Sequence, residues 1–285
     1  MPRVRVSESR AVEVGRLLSR LGVRAVLELE DADPQRVAAL VIRSHVGAWA
    51  PVYTLLLALA SYRLSARGEE WWSSYADFVV SRRKPESLED VVGDVVDFIY
   101  TSPGAGVRRD EKARRVERAS RSARGLLLAL REDNSIVYTR AQWILGEVSR
   151  SLGAPWYSKT VVFALKMAYY AVRSPGEARV VEGVDAVPVD SRVACASYSS
   201  LIVEAESYRD ALREQREVSR AWALASRASG IPGVHLDSLL WLTGWAPRDL
   251  DLSAARVAVA ETLSRVASRD LAEQIAVEIC RRECR

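Results

Sequence analysis

The chain has 285 residues, 49% of them hydrophobic, which is enough to bury the core of one large domain or of two small subdomains. Its 41 basic and 37 acidic side chains give a formal charge of +4, a modest excess that does not by itself establish a nucleic-acid partner. The apolar runs are shorter than the ~20 residues that cross a bilayer, and no signal peptide is recognisable, so we expect a cytoplasmic protein without a membrane partner.

Cysteine and histidine are scarce. The three cysteines and two histidines have neither the spacing of a tetrahedral zinc site nor that of an iron–sulphur cluster, so we expect no metal and no cofactor. Cys280 and Cys284 lie four residues apart near the C-terminus, where packing or exposure is favoured over a disulfide. The sequence does not decide between these alternatives.

Lysine is nearly absent: only Lys84, Lys112, Lys159 and Lys166 are lysines, and the other 37 basic side chains are arginines. Asn134 is the only asparagine, and this depletion of thermolabile residues indicates a hot habitat or a coding bias. In such a chain, the remaining lysines should be enriched at positions where a guanidinium group cannot serve.

Apolar residues recur at helical spacing along almost the whole chain, which predicts an all-α fold. The first predicted helix begins after Ser7 or Ser9 and ends at Gly22. Asp33 and Pro34 have the pattern of an N-cap and a first-turn proline, and they open the next helix. The inward face of that helix is predicted to contain Val37, Leu40 and Val41.

Four more helices are predicted in the middle of the chain. The most buried one runs from Pro51 to about Ala66, and another spans Glu69 to Val80. A capping box at Ser87 and Asp90 opens a third. A strongly basic helix covers about residues 110–131, and its charges indicate either a solvated face or contact with a DNA backbone.

Two further helices, roughly residues 138–151 and 157–172, are joined by a short turn and form a helix-hairpin-helix arrangement. Lys159 lies in the first turn of the second helix, where free amide groups and the positive end of the helix dipole suit a phosphate. The same environment disfavours an ammonium ion, so we expect this amine to be neutral part of the time, as a Schiff-base nucleophile requires. A lysine extended along the surface is the alternative.

Three residues near Lys159 in sequence could cooperate with it. Phe163 and Lys166 share its helical face, where core packing and a pocket are both possible. Asp190 follows an apolar stretch and can cap the helix that begins after it. Beside an amine, the Asp190 carboxylate could instead take up a proton or stabilise positive charge as a sugar–base bond breaks.

The segments Leu152–Thr160 and Pro188–Val193 resemble the helix-hairpin-helix glycosylase superfamily, which includes endonuclease III. In that superfamily the hairpin binds DNA phosphates, its lysine attacks the anomeric carbon of the sugar, and the aspartate after the hairpin assists. The turn of this chain departs from the usual Gly-x-Gly form, with Ala154-Pro155-Trp156 after Gly153. The lack of a four-cysteine array separates it from the branch with an iron–sulphur cluster.

The closer resemblance is to the archaeal GO glycosylase (AGOG) family, which excises 8-oxoguanine and has a divergent hairpin. Five motifs occur in order between about Val14 and Gly244. They are Asp33-Pro34-Gln35, Tyr62-Arg63-Leu64 with Gly68-Glu69-Glu70-Trp71-Trp72, Lys159-Thr160-Val161-Val162-Phe163-Ala164-Leu165-Lys166, Pro188-Val189-Asp190, and His235-Leu236-Asp237-Ser238-Leu239-Leu240-Trp241.

This resemblance implies that Lys159 is the nucleophile and Asp190 the catalytic acid/base. It also implies a base pocket lined by Gln35, Trp72, Phe163, Lys166, Asp237 and Trp241. The aromatic residues could supply flat apolar faces to a flipped purine, and Asp237 and Gln35 could accept hydrogen bonds from its edge. Taken singly, each aromatic residue could equally pack in the core, and Asp237 could be a surface charge.

We therefore predict an all-α fold of two helical subdomains with a DNA-binding cleft between them. Residues 51–173 would form the bundle with the hairpin, and residues 1–50 would pack with residues 174–285. The substrate would be single- or double-stranded DNA containing oxidised guanine, bound by a monomer. The alternatives are a glycosylase for another lesion, a non-catalytic hairpin module that binds DNA, and a helical assembly protein; neither of the last two needs Lys159 with Asp190.

Overall fold

Helices account for nearly all regular structure in the computed structural model, which describes residues 4–284. The helices are α1 (Glu8–Ser19), α2 (Gly22–Asp31), α3 (Pro34–Val46), α4 (Ala50–Ala60), α5 (Gly68–Ser81), α6 (Leu88–Thr101), α7 (Arg109–Ser122), α8 (Arg124–Glu132), α9 (Ile136–Thr139), α10 (Ala141–Leu152), α11 (Lys159–Val172), α12 (Ser191–Ser199), α13 (Tyr208–Arg213), α14 (Gln215–Ser229), α15 (Gly233–Thr243), α16 (Ala246–Asp249), α17 (Leu252–Leu263) and α18 (Arg269–Ile279). A short antiparallel ribbon pairs β1 (Arg5–Val6) with β2 (Val203–Glu204). The all-α prediction is confirmed.

The described chain divides into two compact units. The terminal unit comprises residues 4–31, 157–159 and 183–284, and the central unit comprises residues 32–156 and 160–182. The boundary predicted at residue 50 therefore falls inside the central unit. The reason is that α3, which was expected to pack with the C-terminal helices, packs against α4 and α5.

In the terminal unit, α1 packs along α14, and α2 packs against α15. A Cβ atom on Gly15 would lie 2.5 Å from the carbonyl oxygen of Ala225, so only glycine allows this close approach of α1 and α14. Val14 and Leu18 of α1 are buried in the same core as Trp222 of α14. These contacts attach the N-terminal segment to the C-terminal helices.

In the central unit, α4 is the core helix, since all eleven of its residues are buried. It contacts α3, α6, α7 and α8, which explains why it is apolar on every side. The helical stretch Pro34–Ala60, of 27 residues and mean hydropathy 1.2, is long and apolar enough to cross a membrane by length and composition alone. Because 61% of its apolar window is buried inside the protein, packing in the core accounts for its composition.

The sequence prediction was wrong at α2 and α3. Gly22, expected to end the first helix, begins α2 with a positive φ of 77°. On α3, Val37 and Val41 are 50% and 38% exposed, although both were predicted to face inward. The buried face instead includes Gln35 and Arg36. The guanidinium of Arg36 donates a hydrogen bond to the carbonyl of Arg173 at 3.1 Å. Two polar side chains thus occupy positions that a purely apolar pattern assigns to solvent.

The predicted basic helix is two helices, α7 and α8, with a break at Ala123. Lys112 of α7 is fully buried, and its amine donates a hydrogen bond to the carbonyl of Ala105. The same amine lies 5.1 Å from the centre of the Tyr62 ring. Burial lowers the pKa of Lys112 to about 8. This lysine therefore fastens α7 to the loops before α5 and α7 and is not part of a solvated face.

Cys195 of α12 and Cys284 form a disulfide, with their Cα atoms 5.7 Å apart. This pair was not predicted, because only Cys280 and Cys284 are close in sequence and nothing local relates two cysteines that are 89 residues apart. Cys280 is a buried free thiol, and burial raises its pKa to about 12. The bond holds the end of the chain against α12, where Ser199 also donates a hydrogen bond to the carbonyl of Arg282 at 2.6 Å.

Reducing the Cys195–Cys284 bond should lower the free energy of unfolding by about 4 kcal/mol, because a closed loop of 89 residues restricts the unfolded chain. Guanidinium denaturation followed by circular dichroism, with and without a phosphine reductant, measures this difference. The double variant Cys195→Ser/Cys284→Ser should match the reduced protein and not respond to the reductant. An oxidised wild type no more stable than this variant would contradict the prediction.

Candidate active site

The helical hairpin predicted from the sequence is formed by α10 and α11. The left-handed conformation of Gly153, with φ of 60°, ends α10, and its amide donates back to the carbonyl of Arg150 at 3.3 Å. Lys159 is the first residue of α11 and is half-buried. Its amine is thus attached at the positive end of a helix of 14 residues.

Asp190 is the N-cap of α12. Its Oδ1 atom accepts hydrogen bonds from the amides of Arg192 at 2.9 Å and Val193 at 3.0 Å. The capping role considered from the sequence is therefore confirmed. Both bonds end on the same oxygen, so the cap leaves the second carboxylate oxygen for other chemistry.

Arg192 connects the helix that Asp190 caps to one of the predicted pocket residues. Its guanidinium carbon lies 4.1 Å from the centre of the Trp241 ring, and it donates a hydrogen bond to the Trp241 carbonyl at 3.1 Å. A stacked guanidinium fixes the plane of the indole. The start of α12 and the end of α15 are held together in this way.

A buried group anchors α15 to α2. Glu30 of α2 accepts hydrogen bonds through Oε1 from His235 Nδ1 at 2.9 Å and from Ser238 Oγ at 3.0 Å. The side chains of Glu30 and His235 are fully buried. Asp237 is about 200° around the helix from His235, so it lies on a different face from the anchor. Trp241 shares that face, one turn later.

Asp237 is only 3% exposed, so the alternative that it is a surface charge is wrong. A carboxylate this far from water makes its hydrogen bonds without competing solvent.

Gln35 is held by a network within the central unit. Asp33 caps α3. Its Oδ1 atom accepts a hydrogen bond from the backbone amide of Gln35 at 2.9 Å, and its Oδ2 atom accepts one from the Tyr170 hydroxyl at 2.8 Å. Lys166 is 1% exposed, and its amine lies 5.1 Å from the centre of the Tyr170 ring. Tyr170 thus connects the start of α3, next to Gln35, with Lys166 of α11.

The two aromatic residues predicted for the central unit are in contact. The rings of Trp72 and Phe163 meet edge to face, with centroids 6.1 Å apart. Trp72 belongs to α5, whose first residue, Gly68, lies beside Gln35: a Cβ atom there would be 3.3 Å from the Gln35 amide nitrogen. The helices α3, α5 and α11 thus bring Gln35, Trp72 and Phe163 into one neighbourhood.

The predicted site residues belong to both units. Gln35, Trp72, Phe163 and Lys166 lie in the central unit, and Lys159, Asp190, Asp237 and Trp241 lie in the terminal unit. Three residues that position them, Glu30, Tyr170 and Arg192, were not predicted from the sequence. A charged residue on the apolar face of an amphipathic segment was the one signal that could have revealed Glu30. Among residues 4–284, no group of three His, Cys, Asp or Glu side chains could hold a metal ion.

Comparisons with known proteins identify the family of this chain. The sequence profile of the AGOG family, described as N-glycosylase/DNA lyase, matches residues 15–276. An N-glycosylase/DNA lyase from Aeropyrum pernix is 42% identical over 98% of both chains, and one from Pyrobaculum aerophilum is 33% identical over 84% of this chain and 88% of its own. This chain belongs to the AGOG family. It is therefore a DNA-repair enzyme with DNA glycosylase and lyase activities, which sets aside the non-catalytic DNA-binding module and the helical assembly protein.

A solved structure from the same family also matches. It is the crystal structure of an 8-oxoguanine DNA glycosylase from Pyrobaculum aerophilum in complex with 8-oxoguanosine. It has a TM-score of 0.75 and 29% identity, and the match covers 98% of this chain and 99% of the other. The all-α fold is thus the fold of the family.

Proposed function

We propose that this AGOG-family enzyme excises 8-oxoguanine from DNA, with Lys159 as the nucleophile and Asp190 as its acid/base partner. The choice of substrate is supported by the similarity, along 98% of the chain, to an 8-oxoguanine glycosylase crystallised with 8-oxoguanosine. The positions of Lys159 at the start of α11 and of Asp190 at the start of α12 support the assignment of the chemistry.

The neutral Lys159 amine attacks C1′ of the flipped nucleotide, and the bond from C1′ to the base nitrogen breaks with its electron pair leaving on the base. Asp190 stabilises positive charge on the sugar and accepts a proton from the attacking nitrogen. Opening of the sugar ring gives an imine between Lys159 and C1′. Loss of a proton from C2′ then expels the 3′ phosphate, which is the β-elimination step of the lyase.

The base edge gives the discriminating contact. Oxidation at C8 converts N7 of guanine from an acceptor into an N–H donor, so an acceptor aimed at N7 favours the lesion and disfavours guanine. Asp237 and the Gln35 side-chain carbonyl are the buried acceptors we assign to this contact, being 3% and 5% exposed. A polar mismatch of this kind can separate two substrates by ~10⁴ or more, which shape alone does not achieve.

The remaining assignments concern the rest of the pocket and the setting of the reaction. Trp72, Phe163 and Trp241 would stack on the flipped purine, and Lys166 would line its pocket. We further propose that the enzyme acts as a monomer on chromosomal DNA inside the cell.

Sodium borohydride should trap a covalent adduct between wild-type enzyme and a duplex containing 8-oxoguanine, because it reduces the imine on Lys159. Lys159→Gln should abolish the adduct, measured by denaturing gel electrophoresis, whereas Lys84→Gln, which removes an exposed lysine, should leave it unchanged. If Lys159→Gln still traps while Lys166→Gln does not, Lys166 is the nucleophile.

Asp190→Asn should separate the chemical role of Asp190 from its capping role. Asparagine caps helices about as well as aspartate, so the free energy of unfolding should stay within about 0.5 kcal/mol of wild type. The single-turnover rate of base release should fall by ~10² or more, since the carboxylate charge is lost. Asp190→Ala should add a stability loss of about 1 kcal/mol. A wild-type rate in Asp190→Asn would leave Asp190 as a cap only.

Lesion recognition should persist in Lys159→Gln, where chemistry is disabled. At one fixed salt concentration, this variant should bind an 8-oxoguanine duplex more tightly than a guanine duplex by several kcal/mol. With 8-oxo-7-deazaguanine, which lacks the N7 donor, the preference should shrink to ~1 kcal/mol. Equal affinity for guanine and 8-oxoguanine would move specificity from the pocket into base flipping or chemistry.

The matched control for this titration removes stacking and keeps the edge contacts. Trp241→Ala in the Lys159→Gln background should weaken binding of every flipped purine by ~1 to 3 kcal/mol, because stacking does not depend on the edge pattern. An effect confined to 8-oxoguanine would contradict a stacking role for Trp241.

A further inference from the structure

The turn between α10 and α11 has few backbone donors to offer to DNA. The amide of Gly153 donates to the carbonyl of Arg150 at 3.3 Å, and the amide of Ala154 donates to the carbonyl of Ser149 at 3.1 Å. Pro155 has no N–H group. Three successive positions of the turn therefore cannot give an amide to a phosphate without breaking the end of α10.

The turn is also fixed in this conformation. The hydroxyl of Ser149 donates to the carbonyl of Ala154 at 2.6 Å, so the side chain closes the same loop that the Ala154 amide closes through the backbone. Gly153 holds the left-handed conformation that this closure needs. A simple rearrangement that frees the two amides would lose three hydrogen bonds together.

The next residue presents a large apolar ring to solvent. Trp156 is 49% exposed, whereas Trp71, Trp72 and Trp222 are almost completely buried. Trp156 precedes Lys159 by three residues, so its Cα atom lies within about 11 Å of the Lys159 Cα. If Lys159 reaches C1′ of the flipped nucleotide, as in the proposed function on which this inference rests, Trp156 must be close to the same stretch of backbone.

We propose that Trp156 is a DNA-binding residue, and that its ring packs against the deoxyribose backbone beside the flipped nucleotide. The contact takes the place of the amide-to-phosphate bonds that Gly153, Ala154 and Pro155 cannot supply. An apolar ring packed against a sugar excludes water and needs no charge. Because it contacts the sugar and not a base, it binds the strand independently of the base sequence. The hairpin is then a binding element of a different chemical kind from a glycine turn that donates amides.

The experiment measures affinity for duplex DNA by fluorescence anisotropy of a labelled strand, in the inactive Lys159→Gln background. Trp156→Ala should weaken binding about tenfold or more, which is the scale of one lost aromatic contact with a nucleotide. Trp156→Phe, which retains a ring but not the indole N–H, should stay within about threefold of the parent. A loss in Trp156→Phe as large as that in Trp156→Ala would overturn ring packing.

Trp143 provides the matched control. It is the other tryptophan with a strongly exposed side chain, at 37%, and it belongs to α10. Trp143→Ala should change affinity by less than about twofold, since an exposed aromatic away from the contact contributes little to binding. Equal losses in Trp143→Ala and Trp156→Ala would overturn the proposal.

Salt dependence identifies the type of contact. The slope of log affinity against log salt concentration should be the same for Trp156→Ala and its parent, because a neutral ring displaces no counterions. A smaller slope in Trp156→Ala would show that phosphate contacts had been lost instead, and would overturn the proposal. Guanidinium denaturation of both variants verifies that the fold is retained.

The result can be separated from the fate of the proposed function. The same titrations on undamaged duplex depend neither on the lesion nor on Lys159 chemistry, and a backbone contact predicts a loss of similar factor there. Failure of wild-type enzyme to release 8-oxoguanine would reject the proposed substrate. The affinities of Trp156→Ala and its parent for undamaged duplex could still be compared. Unchanged affinity of Trp156→Ala for both duplexes would reject Trp156 and leave the substrate proposal intact.

Discussion

The amide groups that every helix leaves unpaired at its start hold several of the side chains that we assign to the reaction. Asp33 accepts from one such amide of α3, that of Gln35, and Asp190 accepts from two of α12. Lys159 opens α11. Because capping fixes a side chain without consuming its whole hydrogen-bonding capacity, a capping carboxylate can also take part in a reaction.

Buried polar groups also hold the helices that contain the residues we assign to the base pocket. Glu30 ties α15 to α2 through His235 and Ser238, and Asp33 ties α3 to α11 through Tyr170. A buried polar group is costly unless every partner is in place, so these networks specify one arrangement of their helices. Apolar contacts in the same positions would allow the helices to slide against each other, so Asp237 and Gln35 would be positioned less precisely.

The sequence predicted those parts of the fold that local chemistry decides. The N-cap at Asp33, the capping box at Ser87 and the cap at Asp190 were all correct, because capping depends on a few neighbouring residues. The face of α3 was wrong because two of its inward residues, Gln35 and Arg36, are polar, and Arg36 is satisfied by a distant partner. The Cys195–Cys284 bond could not be foreseen either, since only the folded chain brings those residues together. The site residues came from motif resemblance, which spacing alone would not have supplied.

The few lysines of the chain were predicted to occupy positions where arginine cannot serve, and burial explains two of them. Arginine replaces lysine wherever a solvated cation suffices, and the exposed Lys84 is the exception to that pattern. Lys112 and Lys166 are buried, and each amine lies 5.1 Å from a tyrosine ring. A compact ammonium fits such enclosed places better than a planar guanidinium, so burial accounts for two of the four lysines without catalysis. Lys159 is neither buried nor fully exposed, and its place as the first residue of α11 distinguishes it from the other three.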